Sequence, residues 1–313
     1  MTHRAEPASL PAAWIGAVLS AGGLAVVLWW LSSARAVAVT PELVRVLADC
    51  AVLCALGFAV IPVLDSGVFR AELAHRTARP LAVASVLWLL AELLRLLVMA
   101  GQAVGRPPIE LDNSVLWLYA AQTVPGRVNI TAAGLALIAC ILVLAVRRIP
   151  SAAVIACCAA GIASRSLTGH LAQTPLGVAV VAVHAVSAML WCGVLVGLLA
   201  VVRHRIGWAR LLPAYSRLAL YCFAALLFSG TIGAMSVIDV PADLYRTTYG
   251  RLLLIKIALA AGLVVLGWRN RTRWVPAARS QSISVTGSAR RAAGELAVMA
   301  AALVAAAMLA LAG

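Results

Sequence analysis

Two of the five histidines stand where metal chemistry is possible. His170 follows Ser166-Leu167-Thr168-Gly169, and His184 comes after a short loop around Pro175. A neutral imidazole offers a lone pair to a borderline or soft transition metal such as copper or zinc. Sulfur donors stand nearby in the pattern. Met235 and Met99 end apolar runs on the same expected side, and Cys192 lies two helical turns beyond His184. Trp191 repeats the His184 position at heptad spacing, so its ring would wall the same face. A lone histidine in an apolar helix commonly serves as a hydrogen-bonded packing residue; two at one depth on neighbouring helices strengthen the metal reading. His3, His75 and His204 flank arginines, where a metal role is not expected.

Ionisable groups inside apolar runs are the second signal, because such groups are costly in a bilayer and usually face the bundle interior. Glu92, Arg95 and Met99 recur at i, i+3 and i+7, on one helical face. Glu92 and Arg95 either close on each other as an ion pair or join a larger network with Lys256, which follows Tyr249 and Arg251. Lys256 can instead snorkel outward along its stem. Asp49 reads as an interfacial residue. Glu295 reads as a structural carboxylate at a helix N-terminus. All seven cysteines (Cys50, Cys54, Cys140, Cys157, Cys158, Cys192 and Cys222) lie in apolar runs without a C-x-x-C, mostly as small buried hydrophobes.

The elements that must hold these groups follow from composition. Of 313 residues, 64% belong to the AVILMFWYC set and only 12% are charged, with a mean hydropathy of +1.01. Soluble domains carry about 45–50% apolar and about 25% charged residues. A soluble enzyme, a nucleic-acid binder and a disordered tail are therefore excluded together, and the partner solvent is the lipid bilayer. The fold class is an all-α polytopic transmembrane bundle of about nine helices, each needing about 20 apolar residues. The expected spans are Trp14–Leu31, Val44–Val63, Pro80–Ala100, Val128–Val146, Ala152–Leu167, Leu176–Val202, Pro213–Val237, Gly250–Trp268 and Gly294–Leu311. Pro107-Pro108 and Gln281–Ser288 read as loops. Residues 1–150 form an N-terminal four-helix region and 151–313 a C-terminal region of one continuous bundle.

Loop charge orients the chain. With a cytoplasmic N-terminus, sixteen basic residues fall inside, among them Arg70, Arg76, Arg79, Arg203, Arg205 and Arg210; seven fall outside or at outer helix edges, including Arg45, Arg106 and Arg165. Short cytoplasmic loops carry such an excess, so the C-terminus is expected on the periplasmic side. Ala34-Arg35-Ala36 imitates a signal-peptidase site, but the preceding apolar run is long for a signal peptide. A retained first helix is expected; cleavage would leave eight.

From His184 to Leu311 the chain resembles the copper-resistance D (CopD/PcoD) family of bacterial inner-membrane proteins. The residues that carry the likeness are His184-Ala185-Val186-Ser187-Ala188-Met189-Leu190-Trp191-Cys192-Gly193, then Tyr215-Ser216-Arg217-Leu218-Ala219 and Ser229-Gly230-Thr231. Most specific is Thr247-Thr248-Tyr249-Gly250-Arg251-Leu252-Leu253-Leu254-Ile255-Lys256, closing with Trp268-Arg269-Asn270-Arg271; Thr168-Gly169-His170 extends it weakly. Cys192 departs from the small or aliphatic residue expected there.

The resemblance implies copper transport, inward across the inner membrane, with the ion taken up at an outer His170/His184 site. Met235 or Cys192 would add soft donors, and the route would pass Glu92, Arg95 and Lys256. It also implies a separate periplasmic copper-binding partner of the CopC type, since no soluble extracellular domain is expected in this chain. No Walker-type phosphate loop occurs, and the chain is not expected to be an enzyme. Two alternatives use the same histidines: a non-transporting protein that delivers copper during oxidase assembly, and a haem-containing membrane redox enzyme with axial imidazoles.

Overall fold

The computed structural model describes residues 39–65, 67, 69–146, 149–168, 173–235, 245 and 247–312. The structure is 91% helical, with no strand among the described residues. Six helices there are long and apolar enough to cross a membrane: Pro41–Leu64, Phe69–Val104, Val124–Leu144, Pro175–Val201, Arg205–Met235 and Gly250–Arg279. They match the second, third, fourth, sixth, seventh and eighth expected spans. The fifth is the shorter apolar helix Ser151–Leu167, and the first lies outside the described residues. This is a multi-pass membrane protein.

The chain divides into two compact units, one over Val37–Pro241 and one containing the residues from Ala242 onward. The first unit holds α1 (Val39–Val60), α2 (Phe69–Val104), α3 (Asn113–Gln122), α4 (Val124–Leu144), α5 (Ser151–Ser164), α6 (Pro175–Val201) and α7 (Arg205–Met235). Its centre is α1, which packs on α2, α5 and α6 and buries Ala48, Val52, Ala55, Leu56 and Ala59. Beside it α4 packs on α2 and α5, and α7 packs on α6.

Small residues set the closest of these contacts. A Cβ on Gly57 of α1 would overlap the Gly193 carbonyl of α6, and one on Gly193 would overlap the Leu53 carbonyl. One turn on, a Cβ on Gly197 would stand 2.9 Å from Ile61 Cγ1. Gly193-x-x-x-Gly197 thus acts as a small-residue face that lets two backbones touch, the usual basis of helix association where lipid is as apolar as the side chains. Gly193→Val is expected to cost about 3 kcal/mol, the upper end for overpacking, and to broaden or abolish a monodisperse peak in detergent. Gly134→Val, where nothing lies within 4 Å, should run as wild type; equal behaviour of the two variants would contradict the close approach.

Helix ends differ from the apolar runs for physical reasons. The third span begins at Phe69, eleven residues before Pro80, and the seventh at Arg205, eight before Pro213, so both prolines are helix-internal. At 36 residues, α2 is about 54 Å long and exceeds the ~30 Å hydrocarbon layer; its first turns bear Arg70, Glu72, Arg76 and Arg79. Three helix starts share one device. Thr123, Thr174 and Thr247 each accept a hydrogen bond from the backbone N–H of Gly126, Gly177 and Gly250, at 3.0, 3.1 and 2.9 Å. The Thr-x-x-Gly in the most family-specific stretch is therefore, in part, an N-cap. The loop expected at Pro107-Pro108 contains a 3₁₀ turn at Pro108–Glu110 and leads into α3.

In the second unit α8 (Thr248–Arg269) runs through a π turn at Asn270–Trp274 into α9 (Val275–Arg279), and α10 (Val285–Ala312) packs against α8. The expected Gln281–Ser288 loop is shorter, because α10 begins at Val285. Glu295 therefore does not open a helix: it lies well inside α10, buried, and accepts a 2.6 Å hydrogen bond from Asn270 Nδ2.

Candidate functional site

His184 projects from the N-terminal half of α6, half-buried, with Nδ1 3.0 Å from Ser229 Oγ of α7. Gly230 keeps the space beside the ring open, since a Cβ there would be in contact with His184 Cε1 at 3.4 Å. Further along the same seam Trp191 Nε1 donates to Tyr215 Oη at 3.0 Å, and Phe223 meets the indole edge-on at 6.3 Å. Trp191 and Tyr215 are both buried. They fix α6 against α7.

The sulfur donors stand at other depths of α6 and α7. Cys192 is buried at 4% exposure, and eight residues of helix separate it from His184, about 12 Å. Met235 is the last residue of α7 and is 76% exposed; six residues separate it from Ser229, about 9 Å. His170 lies outside the described residues. Among the described residues no three His, Cys, Asp or Glu side chains converge as a metal cluster.

A second set of polar groups shares the depth of His184. Gly57 meets Gly193 and Ile61 meets Gly197, so α1 and α6 run parallel, and nine residues back from the first contact His184 is level with Ala48 and Asp49. There the Arg165 guanidinium forks between helices: Nη1 pairs with Asp49 Oδ1 of α1, and Nη2 with Glu92 Oε1 of α2. Trp88 Nε1 donates to the same Glu92 oxygen at 3.1 Å, while its ring leans on Gly161 of α5. Arg95 Nη1 stands 3.8 Å from Glu92 Oε2, and Arg45 Nε 4.0 Å from Asp49 Oδ2. Glu92 is fully buried. Two carboxylates are thus matched by the partly buried Arg95 and Arg165. Near them Tyr119 of α3 is buried, which pushes its hydroxyl above the ordinary phenol range, with Arg95 partly opposing.

The expected Glu92–Arg95 pairing is present, but Arg165 is the stronger partner, and it brings in Asp49, read from sequence as merely interfacial. Met99 is half-buried on α2. Lys256, half-buried, and Arg251, exposed, belong to α8 in the second unit, as does Tyr249. At the opposite end of the first unit Asp65 accepts from Arg210 Nη2 at 3.1 Å and lies 3.0 Å from its Nε, and Arg210 covers the Phe69 ring at 4.5 Å. This clasp ties the α1–α2 connection to the start of α7.

Two family models match the chain: Copper resistance protein D-like, N-terminal domain, over residues 36–179, and Copper resistance protein D over residues 209–312. No curated protein and no solved structure matches it. Asp49, Glu92, Arg95, Met99, Arg165 and His170 fall in the first matched stretch, and Ser229, Met235, Tyr249, Arg251 and Lys256 in the second. His184, Trp191 and Cys192 lie between the two.

Proposed function

Because the chain belongs to the copper-resistance D family, we propose that it carries copper inward across the bacterial inner membrane, taking the ion at His184 from the periplasmic side. One observation carries this reading: in a layer whose carboxylates are already matched by arginines, His184 supplies a half-buried imidazole at a helix seam. Imidazole nitrogen suits copper. Met235, exposed at the end of α7, and Cys192, buried further along α6, would serve as softer donors before and after His184, with His170 completing the outer site. Copper is cargo on this reading.

The inward direction rests on orientation. Sixteen basic residues against seven support an orientation with the Asp65–Arg210 end in the cytoplasm, the N-terminus inside and the C-terminus outside. A membrane potential, negative inside, favours inward cation movement by about 2.3 kcal/mol per charge per 100 mV. A separate periplasmic copper-binding protein of the CopC type is the partner this role calls for.

Proteoliposomes with a copper indicator in the lumen test the proposal. Wild type should fill them from external Cu(I), and His170→Ala with His184→Ala should fall to the protein-free background. Copper bound by wild type without luminal signal would replace transport with delivery to another protein.

A further inference from the structure

Ser229 has one hydroxyl proton and three neighbours within reach. Its Oγ lies 2.6 Å from the Ala225 carbonyl, 3.3 Å from the Leu226 carbonyl and 3.0 Å from His184 Nδ1. The carbonyls can only accept. At 2.6 Å the Ala225 contact is a short O–H···O bond, so the proton is committed to the serine's own helix. Ser229 therefore meets His184 as an acceptor, and His184 Nδ1 must carry the hydrogen. In a neutral imidazole that places the lone pair on Nε2.

From this geometry we infer that Ser229 is a positioning residue for copper: it holds His184 in the Nδ1–H tautomer so that Nε2 is the coordinating nitrogen. The inference rests on the reading of His184 as a copper ligand and adds which atom binds and what selects it. Ligating histidines generally donate their other ring N–H to an oxygen that fixes ring orientation, and losing that oxygen typically costs 10–100-fold in metal affinity. Here the oxygen comes from the neighbouring helix, so the ring is oriented only while α6 and α7 are packed. Trp191–Tyr215 and Phe223 provide that packing. Ser229 is buried at 2% exposure, which shields its bond from competing water.

Two readouts on full-length protein in nanodiscs test this. Nitrogen-15 spectra of histidine-labelled, metal-free protein, with the His184 signal assigned by its loss in His184→Ala, should show one Nδ1–H tautomer in wild type and a mixture in Ser229→Ala. Cu(I) affinity by chelator competition should fall about 10- to 100-fold in Ser229→Ala, and Ser229→Thr, which keeps a hydroxyl able to bond its own helix, should restore both. An unchanged tautomer in Ser229→Ala, or a changed tautomer with unchanged affinity, would overturn the positioning role. Equal copper binding by wild type and His184→Ala would instead overturn the reading of His184 as a ligand, whatever the spectra show.

Discussion

Arg165→Met will lower the stability of the folded protein by about 3–5 kcal/mol, the usual cost of removing one partner from a buried ion pair. The magnitude follows from what the side chain holds. Its two Nη atoms pair with carboxylates on different helices, Asp49 of α1 and Glu92 of α2, while its backbone opens the 3₁₀ turn at the end of α5. Among the described residues, Glu92, fully buried, then keeps only the Trp88 hydrogen bond and an Arg95 nitrogen at 3.8 Å, and Asp49 keeps only Arg45 at 4.0 Å. In detergent the melting temperature should drop by about 10 °C. Arg165→Lys should fall between, because an ammonium is a point charge and lacks the planar fork. Adding Glu92→Gln to Arg165→Met should recover part of the loss by removing one stranded charge. A melting curve for Arg165→Met that overlays wild type would show that the fork does not hold the two helices.

The bundle was legible because hydropathy alone dictates it: runs of about 20 apolar residues have no other stable home. Helix ends were less legible. Pro80 and Pro213 look like breakers, yet both sit inside helices, where a proline removes one backbone donor without ending the helix. The candidate site divides in the same way. Glu92 with Arg95 was readable from i, i+3 spacing, since one helix contains both. Arg165 with Asp49 was not, because that pairing depends on α1 packing against α5. Its available signal was a cation near the end of a short apolar span, which must find anions at its own depth. Ser229 was visible only as part of a family-like Ser-Gly-Thr. Its relation to His184 needs the antiparallel register of α6 and α7, which residue spacing does not encode.

Replacing both His170 and His184 by alanine should have the largest effect on the metal chemistry, and little on the fold. His184 is half-buried, and Ser229 retains the Ala225 carbonyl as a hydrogen-bond acceptor when the ring is removed. The α6–α7 seam keeps its Trp191–Tyr215 bond. Copper, in contrast, loses the His184 imidazole of the seam and its expected partner His170, and is left with Met235 and Cys192, which are spaced too far along the helices to act together. The most direct measurement is therefore the copper content of detergent-purified protein after loading with Cu(I) and removal of excess, wild type beside the double variant. The account predicts bound copper in wild type, and its loss in a variant that elutes and melts like wild type. Equal copper in the two proteins would contradict it.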